Sequence, residues 1–269
     1  MDIRNWFPGI QATLDRVNAG HPWNHNEYFH GWILRNLPAR RRVAVDIGCG
    51  AGVLAGKLAA CFAHVTALDA DQGMAAAASA RLRDIRQASV RRCSFDEFVS
   101  AADDGGADLI TMVALLHWLD LDAALARIPA LLAPGGRLLV VGLARPDSLA
   151  DLAFDVVSGL ANPVVGLIKH PRRARPSRRG PDGQPVMPVQ DPLATFAEIT
   201  SAARAHLPGV TVRRRVFFRY TLCWDRPHES HEPIQHPDAR HNSSHPHDAP
   251  ETRSDAGSGA AVIISAGPT

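Results

Sequence analysis

The sequence contains few cysteines, few lysines and no long apolar run, and each shortage excludes a class of protein. Its four cysteines include no CxxC pair, which argues against both a disulfide framework and a clustered zinc site. The longest apolar segment, residues 152–168, is interrupted by polar residues and proline and is shorter than the roughly 20 residues of a membrane-spanning helix. Because no secretory signal is recognisable either, we expect a reduced, cytoplasmic protein.

Excess charge of one sign is also missing. The formal net charge of +2 creates no whole-molecule field that would attract nucleic acid. Arginine supplies nearly all of the positive charge, since Lys57 and Lys169 are the only lysines, and with abundant alanine this is typical of GC-rich coding. The basic stretch IKHPRRARPSRRG, residues 168–180, lacks interleaved aromatics, which favours a solvated loop over a contact with RNA, lipid or a phosphopantetheine carrier. We therefore expect a small-molecule partner rather than DNA or RNA.

What the sequence does have is a regular alternation of short β-type runs and helical runs between residues 43 and 142. Such alternation predicts a doubly wound α/β fold, in which a parallel sheet carries helices on both faces. The predicted strands are 43–47, 64–68, 89–93, 109–113 and 137–142. The predicted helices are 53–62, 72–85 and 122–132, and Pro129 predicts a kink or short break in the last of these.

The regions on either side of this alternation add elements to the fold. A helix at 26–37 is expected before the first strand, and the aromatic and polar stretch at 21–30 suggests a lid. A helix at 192–206 precedes two strands, 210–217 and 219–224, which we expect to pair antiparallel as the terminal hairpin of a mostly parallel, seven-stranded sheet.

Two further regions are expected to lie outside the sheet. An amphipathic helix at 149–160 and a mobile loop rich in proline, arginine and glycine at 169–190 form an insertion. The tail at 228–269 has too few apolar residues to offset the entropy of ordering, so we expect it to be disordered and its histidines to be solvated rather than metal-bound. The predicted organisation is an N-terminal lid or helical segment at 1–40, a main domain at 41–227 with its insertion at 147–191, and this tail.

The stretch VAVDIGCGAG ends the first predicted strand in a glycine-rich turn. Gly48, Gly50 and Gly52 allow a sharp turn and a close approach of the backbone to a ligand at the start of the next helix. A dinucleotide fingerprint would need a third glycine at the position of Val53. The turn therefore favours a ligand other than a pyrophosphate.

Two acidic residues sharpen this choice. Asp69 ends the second strand, where a carboxylate can accept hydrogen bonds from both hydroxyls of a ribose. Asp46 lies two residues before the turn, and its charge would repel a pyrophosphate but attract an ammonium group. Together they indicate a ligand that combines a ribose with an ammonium group, as S-adenosylmethionine does.

Five stretches in order resemble the motifs of the class I S-adenosylmethionine-dependent methyltransferases. They are VDIGCGAG, VTALDAD, CSFDEF, ADLITMVALLHWL and ALLAPGGRLLVVG, and together they cover about residues 41–143. The chain from 21 to 227 is more loosely similar to uncharacterised bacterial small-molecule methyltransferases. The LLHW segment is similar to that of enzymes that methylate quinone-pathway intermediates or a carrier-bound acyl group. The resemblance implies a Rossmann-like fold, S-adenosylmethionine as cofactor and methyl transfer to a small, partly apolar acceptor, at oxygen or carbon.

The resemblance also implies a set of cofactor-binding residues. Asp46 would organise the turn and the methionine end of the ligand, Asp69 would hold the ribose, and the backbone at Val113 and Ala114 would face the methionine part. After the third strand this family commonly has a glycine-aspartate pair that contacts the adenine, and here Asp96 could replace it. The full set is Asp46, Gly48, Cys49, Gly50, Gly52, Asp69, Ala70, Met74, Ser94, Phe95 and Val113. Within it, Cys49 is expected to fill space in the turn rather than to act as a nucleophile.

His117 follows the fourth strand, at the edge where open α/β sheets bind ligands, and is the candidate general base. The alternative is that it packs beside Trp118 or caps a helix. His25 and Tyr28, with Trp118, are candidates for the acceptor pocket. Two other functions stay open from the residues alone: an NAD(P)-dependent oxidoreductase, and a non-catalytic module that binds an adenosyl ligand or RNA.

Overall fold

The structure is a computed structural model, and it describes residues 25–99, 105–147, 190–215 and 219–228. The predicted helix at 149–160, the basic loop at 169–190 and the tail from 229 onward lie outside the described residues, as do residues 1–24. The predictions made for those parts therefore stay predictions.

A seven-stranded sheet forms the centre of the described chain, in the order β3-β2-β1-β4-β5-β7-β6. Neighbouring strands among β1 to β5 pair parallel, whereas β7 pairs antiparallel with both β5 and β6. This confirms the predicted α/β fold, with its mostly parallel sheet and terminal hairpin. The strands are β1 Val43–Ile47, β2 His64–Asp69, β3 Ala88–Arg92, β4 Ala107–Val113, β5 Leu132–Leu143, β6 Thr211–Arg215 and β7 Arg219–Asp225.

The described helices precede, connect and follow these strands. They are α1 His25–Tyr28, α2 His30–Arg35, α3 Val53–Ala59, α4 Gln72–Leu82, a single 3₁₀ turn Leu116–Trp118, α5 Leu121–Leu131 and α6 Phe196–His206. Side chains cap three of them: Asp71 accepts from the N–H of Met74, Asp120 accepts from that of Ala123, and α6 has a full capping box. No helix in this part of the chain is long and apolar enough to cross a membrane.

Two boundaries differ from the sequence prediction for physical reasons. The helix expected at 26–37 is divided into α1 and α2, because the N–H of Phe29 bonds the carbonyl of Asn26 in a tighter, 3₁₀-like turn. Strand β5 starts at Leu132, five residues earlier than predicted, because the APGG segment lies against β4. A Cβ on Gly136 would lie 2.6 Å from the carbonyl oxygen of Ala107, so only glycine permits this approach.

Pro129 does not break its helix, since α5 is continuous from Leu121 to Leu131. Pro129 lies close to the C-terminal end of that helix, and its carbonyl accepts a hydrogen bond from Arg226 at 2.8 Å. A proline in the last turn removes one N–H donor without dividing the helix.

Apolar residues cover both faces of the sheet, and the strands alternate between the two. On β5, Leu138 and Val140 belong to one buried cluster with α5 and α6, whereas Leu139 and Val141 belong to a second cluster with α2 and α3. This alternation is what a sheet covered on both faces requires. These clusters lie on the two faces of the sheet, whereas the candidate site lies at the carboxyl edge of the parallel strands.

A buried carboxylate holds the opposite, amino edge together. Asp108, which is 1% exposed, accepts hydrogen bonds from the side chain of Arg40 at 2.5 Å and from the backbone N–H groups of Arg42 at 2.6 Å and Val43 at 3.2 Å. These bonds tie the segment before β1 to the start of β4.

Replacing Asp108 with alanine should lower the free energy of unfolding by about 2–4 kcal/mol, because two backbone N–H groups and a guanidinium lose their shared acceptor. Asp122→Ala is the matched control, since Asp122 is an exposed carboxylate paired with His206 at 2.9 Å. Its loss should cost at most about 1 kcal/mol. Urea unfolding of the two variants measures both, and equal losses would contradict the role given to Asp108.

Candidate active site

The glycine turn after β1 has a backbone that other residues could not adopt without strain. Gly48, Gly50 and Gly52 have φ angles of 70°, 53° and 77°, all in the left-handed region. A Cβ on Gly48 would lie 3.0 Å from the side chain of Leu115, so that position is sterically closed as well. The turn is therefore fixed in shape, and it leads into α3 with no side chain capping the first N–H groups of that helix.

Cys49 lies between two of these glycines and links the turn to the sheet. Its N–H donates to the carbonyl of Leu68 at 2.8 Å, which ties the turn to the end of β2. Burial, together with the charges of Asp46 and Asp69, raises the pKa of the thiol, so it stays protonated and unreactive.

Asp46, near the end of β1, is a fully buried carboxylate with an unpartnered oxygen. The hydroxyl of Thr111 donates to its Oδ1 at 2.7 Å, whereas its Oδ2 is buried and accepts no hydrogen bond. Burial raises the pKa of Asp46 to about 7, and the Thr111 hydroxyl and the nearby N–H of Ala55 offset this only in part. The second oxygen of Asp46 is therefore a buried acceptor that has no hydrogen-bond partner in the protein.

Asp69, at the end of β2, is held in a fixed orientation beside the turn. Its Oδ2 accepts from the N–H of Gly50 at 2.8 Å and its Oδ1 from that of Asp71 at 2.9 Å. Burial raises the pKa of Asp69, and its charge in turn adds to the raised pKa of Asp46. The turn thus lies between two carboxylates, each with lone pairs left to accept further hydrogen bonds.

The residues expected around an adenine differ in their exposure and in whether they already have partners inside the protein. Ala70 is exposed, whereas Met74 is buried at the first turn of α4. The N–H of Ser94 already donates to Glu97 at 2.9 Å, and the ring of Phe95 is 4% exposed within the core. The exposed residues at the ends of β2 and β3 include Ala70 and Asp96.

The end of β4 carries the one non-glycine residue with positive φ in the described part of the chain. Ala114 has a φ of 53°, and its N–H donates to the carbonyl of Val141 at 2.7 Å. Such strain is concentrated at functional sites. It turns the chain after Val113 so that Leu115 packs on the glycine turn.

His117, in the 3₁₀ turn that follows, lies at the same edge of the sheet. It is half-buried, and its Nδ1 is shielded from solvent without a hydrogen-bond partner. Burial and the positive charge of Arg219 lower the pKa of the ring, so it is neutral at pH 7. The adjacent Trp118 is 42% exposed.

Three further residues of the site were not among those singled out from the sequence. They are Thr111, Arg219 and Asn26. Thr111, a polar residue in the apolar run LITMV, lies directly opposite Asp46 in the register of β1 with β4. No pattern in its own segment marks Arg219, because its contact with Asn26 joins parts of the chain 193 residues apart.

The N-terminal candidates are only partly described. Asn26 accepts a hydrogen bond from Arg219 at 2.9 Å, which brings α1 to this edge of the sheet. Tyr28 is 43% exposed, and His25 begins α1. The lid suggested at 21–30 lies partly outside the described residues and stays a prediction.

Among the residues that the structure does describe, no group of three or more His, Cys, Asp or Glu side chains could hold a metal ion.

Comparison of the sequence with known proteins points to one family. Residues 45–138 match the sequence model of a methyltransferase domain. An uncharacterised methyltransferase of Mycobacterium tuberculosis is 31% identical over 211 residues, which cover 77% of this chain and 98% of that protein. A trans-aconitate 2-methyltransferase of Methylobacterium radiotolerans is 36% identical over 133 residues, about half of each chain at 48%.

Solved structures share the fold. The crystal structure of an S-adenosylmethionine-dependent methyltransferase from Aquifex aeolicus superimposes with a TM-score of 0.50 at 13% identity, covering 80% of this chain and 97% of that one. At that identity the likeness concerns the arrangement of strands and helices alone.

The raised pKa of Asp46 predicts how stability depends on pH. Because this pKa is about 7 in the folded protein and about 3.9 in the unfolded chain, the folded state binds more protons between those values. The contribution of Asp46 to the free energy of unfolding should therefore fall as the pH rises from about 4 to about 7, by about 4 kcal/mol if the whole shift is expressed. Urea unfolding of the wild type and of Asp46→Asn at pH 5 and pH 8 tests this. The variant should gain stability relative to the wild type at the higher pH, and a difference that does not change with pH would contradict the assignment.

Proposed function

The chain belongs to the class I S-adenosylmethionine-dependent methyltransferases and uses S-adenosylmethionine as its cofactor, and on that premise we propose that it methylates a small, partly apolar molecule at oxygen or carbon. The oxidoreductase and the non-catalytic module that the residues left open are thereby set aside. The observation that carries the proposal is the buried, unpartnered oxygen of Asp46 beside the glycine turn.

The residues at the turn fit the cofactor. Its ammonium group complements the free oxygen of Asp46, and pairing with a cation offsets the cost of a buried charge. Asp69 is oriented by the N–H groups of Gly50 and Asp71 and keeps lone pairs for two ribose hydroxyls. A pyrophosphate would instead bring negative charge to two carboxylates.

At the adenine end we propose that Ala70 and Asp96 form the contacts. Both are exposed at the strand ends, whereas the N–H of Ser94 and the ring of Phe95 have partners inside the protein. Met74, which is buried at the start of α4, would support these contact residues from inside the protein.

The sulfonium of the bound cofactor supplies an activated methyl group, so the protein has to align an acceptor and exclude water. Such positioning provides roughly 7–11 kcal/mol in well-oriented cases. Trp118 and Tyr28, each more than two-fifths exposed, offer aromatic surface to an apolar part of the acceptor. His117, neutral at pH 7, would accept the proton of an O–H acceptor.

A small acceptor is supported by two considerations. The formal net charge of the chain is only +2, which gives no strong overall attraction for nucleic acid. A relative that is similar over about half of this chain is named for a small acceptor, trans-aconitate. The balanced net charge and the four unpaired cysteines are compatible with action in the cytoplasm, which is part of the proposal.

Incubation of the purified protein with methyl-labelled S-adenosylmethionine and fractions of a bacterial extract tests the function. Label should enter the small-molecule fraction and stay absent from the RNA and protein fractions. Label in RNA, or in no fraction, would contradict the proposal.

Asp69→Ala should weaken binding of S-adenosylhomocysteine more than about tenfold, or about 1.4 kcal/mol, because the ribose loses its acceptor. Titration calorimetry measures the affinity, and circular dichroism checks that the fold is kept. Asp84→Ala, which removes an exposed carboxylate after α4, is the matched control and should bind normally. Unchanged affinity in Asp69→Ala would exclude the ribose assignment.

A further inference from the structure

Arg219 lies in a position where burial of its charged side chain costs free energy. It is the first residue of β7 and pairs with Leu143, the last residue of β5. Because β7 runs antiparallel to β5, this pairing brings Arg219 to the edge where the parallel strands end. The side chain is largely removed from solvent, and burial lowers the pKa of its guanidinium to about 10, which leaves it charged at neutral pH.

The hydrogen bonds of Arg219 leave its charge uncompensated. Nη2 donates to the side-chain oxygen of Asn26 at 2.9 Å, which is a neutral acceptor, and the buried Nε–H has no partner. Two other described arginines are paired with carboxylates, Arg40 with Asp108 and Arg137 with Asp225, both at 2.5 Å. Among the described arginines, Arg219 alone has a buried nitrogen without an acceptor.

A second unpartnered nitrogen lies in the same neighbourhood. Nδ1 of His117, in the turn that follows β4 at the same edge of the sheet, is also buried without a partner, and the charge of Arg219 adds to burial in lowering the pKa of that ring. Two orphaned nitrogens beside one uncompensated positive charge define a place for an anion, since buried polar groups are otherwise paired almost without exception.

We propose that Arg219 binds a carboxylate of the methyl acceptor through its free Nε–H, with His117 beside it. This inference rests on the proposed function and specifies its substrate class: the acceptor is an organic acid with an apolar part. A planar carboxylate matches the fork of a guanidinium, and its single negative charge balances the single positive charge of Arg219. A phosphate dianion would leave excess negative charge at an edge that already holds Asp46 and Asp69.

The carboxylate of the cofactor's methionine part is the competing occupant, and the sheet order argues against it. Strands β1, β4, β5 and β7 are successive neighbours, so the strand that bears Asp46 is three spacings from the one that bears Arg219. That separation is roughly 14 Å. A cofactor whose ammonium pairs with Asp46 therefore leaves Arg219 to the acceptor.

The test uses the full chain, an Arg219→Gln variant and a control, Arg213→Gln, which removes an exposed arginine on the neighbouring strand β6. A small-molecule extract is divided on an anion exchanger into retained acids and unretained compounds, and each part is incubated with methyl-labelled S-adenosylmethionine. In parallel, the thermal midpoint of each protein with S-adenosylhomocysteine is measured with added hexanoate or hexanamide.

The acceptor should be found among the retained acids, and Arg219→Gln should raise its KM at least about tenfold. Affinity for S-adenosylhomocysteine should not change, and Arg213→Gln should behave as the wild type. Hexanoate, but not hexanamide, should raise the thermal midpoint of the wild type, and Arg219→Gln should abolish that increase. Arg219→Lys, which keeps the charge without the fork, should give an intermediate KM.

Label confined to unretained compounds, or an unchanged KM in Arg219→Gln, would overturn the inference while the methyltransferase function stands. Loss of S-adenosylhomocysteine binding in Arg219→Gln would overturn it in favour of the cofactor's carboxylate. Absence of label from every fraction, with the hexanoate effect intact, would instead refute the proposed function and retain the anion site.

Discussion

The site depends on one buried carboxylate that the protein alone does not satisfy. Asp46 has a hydroxyl on one oxygen and nothing on the other, in surroundings that raise its pKa to about 7. A protein under selection for stability alone would place an apolar residue there. In the proposed function the ammonium group of the cofactor would pair with Asp46, and the glycine turn, the start of α3 and Asp69 lie beside the same carboxylate.

The carboxyl edge of the sheet is polarised along its length. Asp46 and Asp69 make the end at β1 and β2 negative, whereas Arg219, with the neutral His117 nearby, makes the end at β4 to β7 positive. A cationic cofactor and an anionic acceptor would each be drawn to a different end. Because both ends belong to one rigid sheet, the two ligands would meet in a geometry set by strand order rather than by flexible loops.

The parts of this arrangement that depend on local pattern could be predicted from the sequence. Strand β1, the glycine turn, and the two acids follow from neighbouring residues, and β1 has the predicted bounds Val43–Ile47. What could not be predicted depends on pairings between distant segments. The early start of β5 needs the close approach of Gly136 to Ala107, and the role of Thr111 needs its register with Asp46. Neither partner is visible from the composition of its own segment.

Arg219 shows why the antiparallel hairpin matters to the chemistry and not only to the sheet. A parallel last strand would bring its final residue to the carboxyl edge, but an antiparallel one brings its first, and the register of β7 with β5 sets Arg219 opposite Leu143. The next residue, Tyr220, is fully buried, and its ring covers Gly142, where a Cβ would lie 2.2 Å from the ring. This packing favours one register of the hairpin, because a shift by one residue would place the large ring against a side chain next to Gly142. The core beneath the hairpin therefore sets where the backbone of Arg219 lies at the carboxyl edge, and with it the base of the proposed anion site.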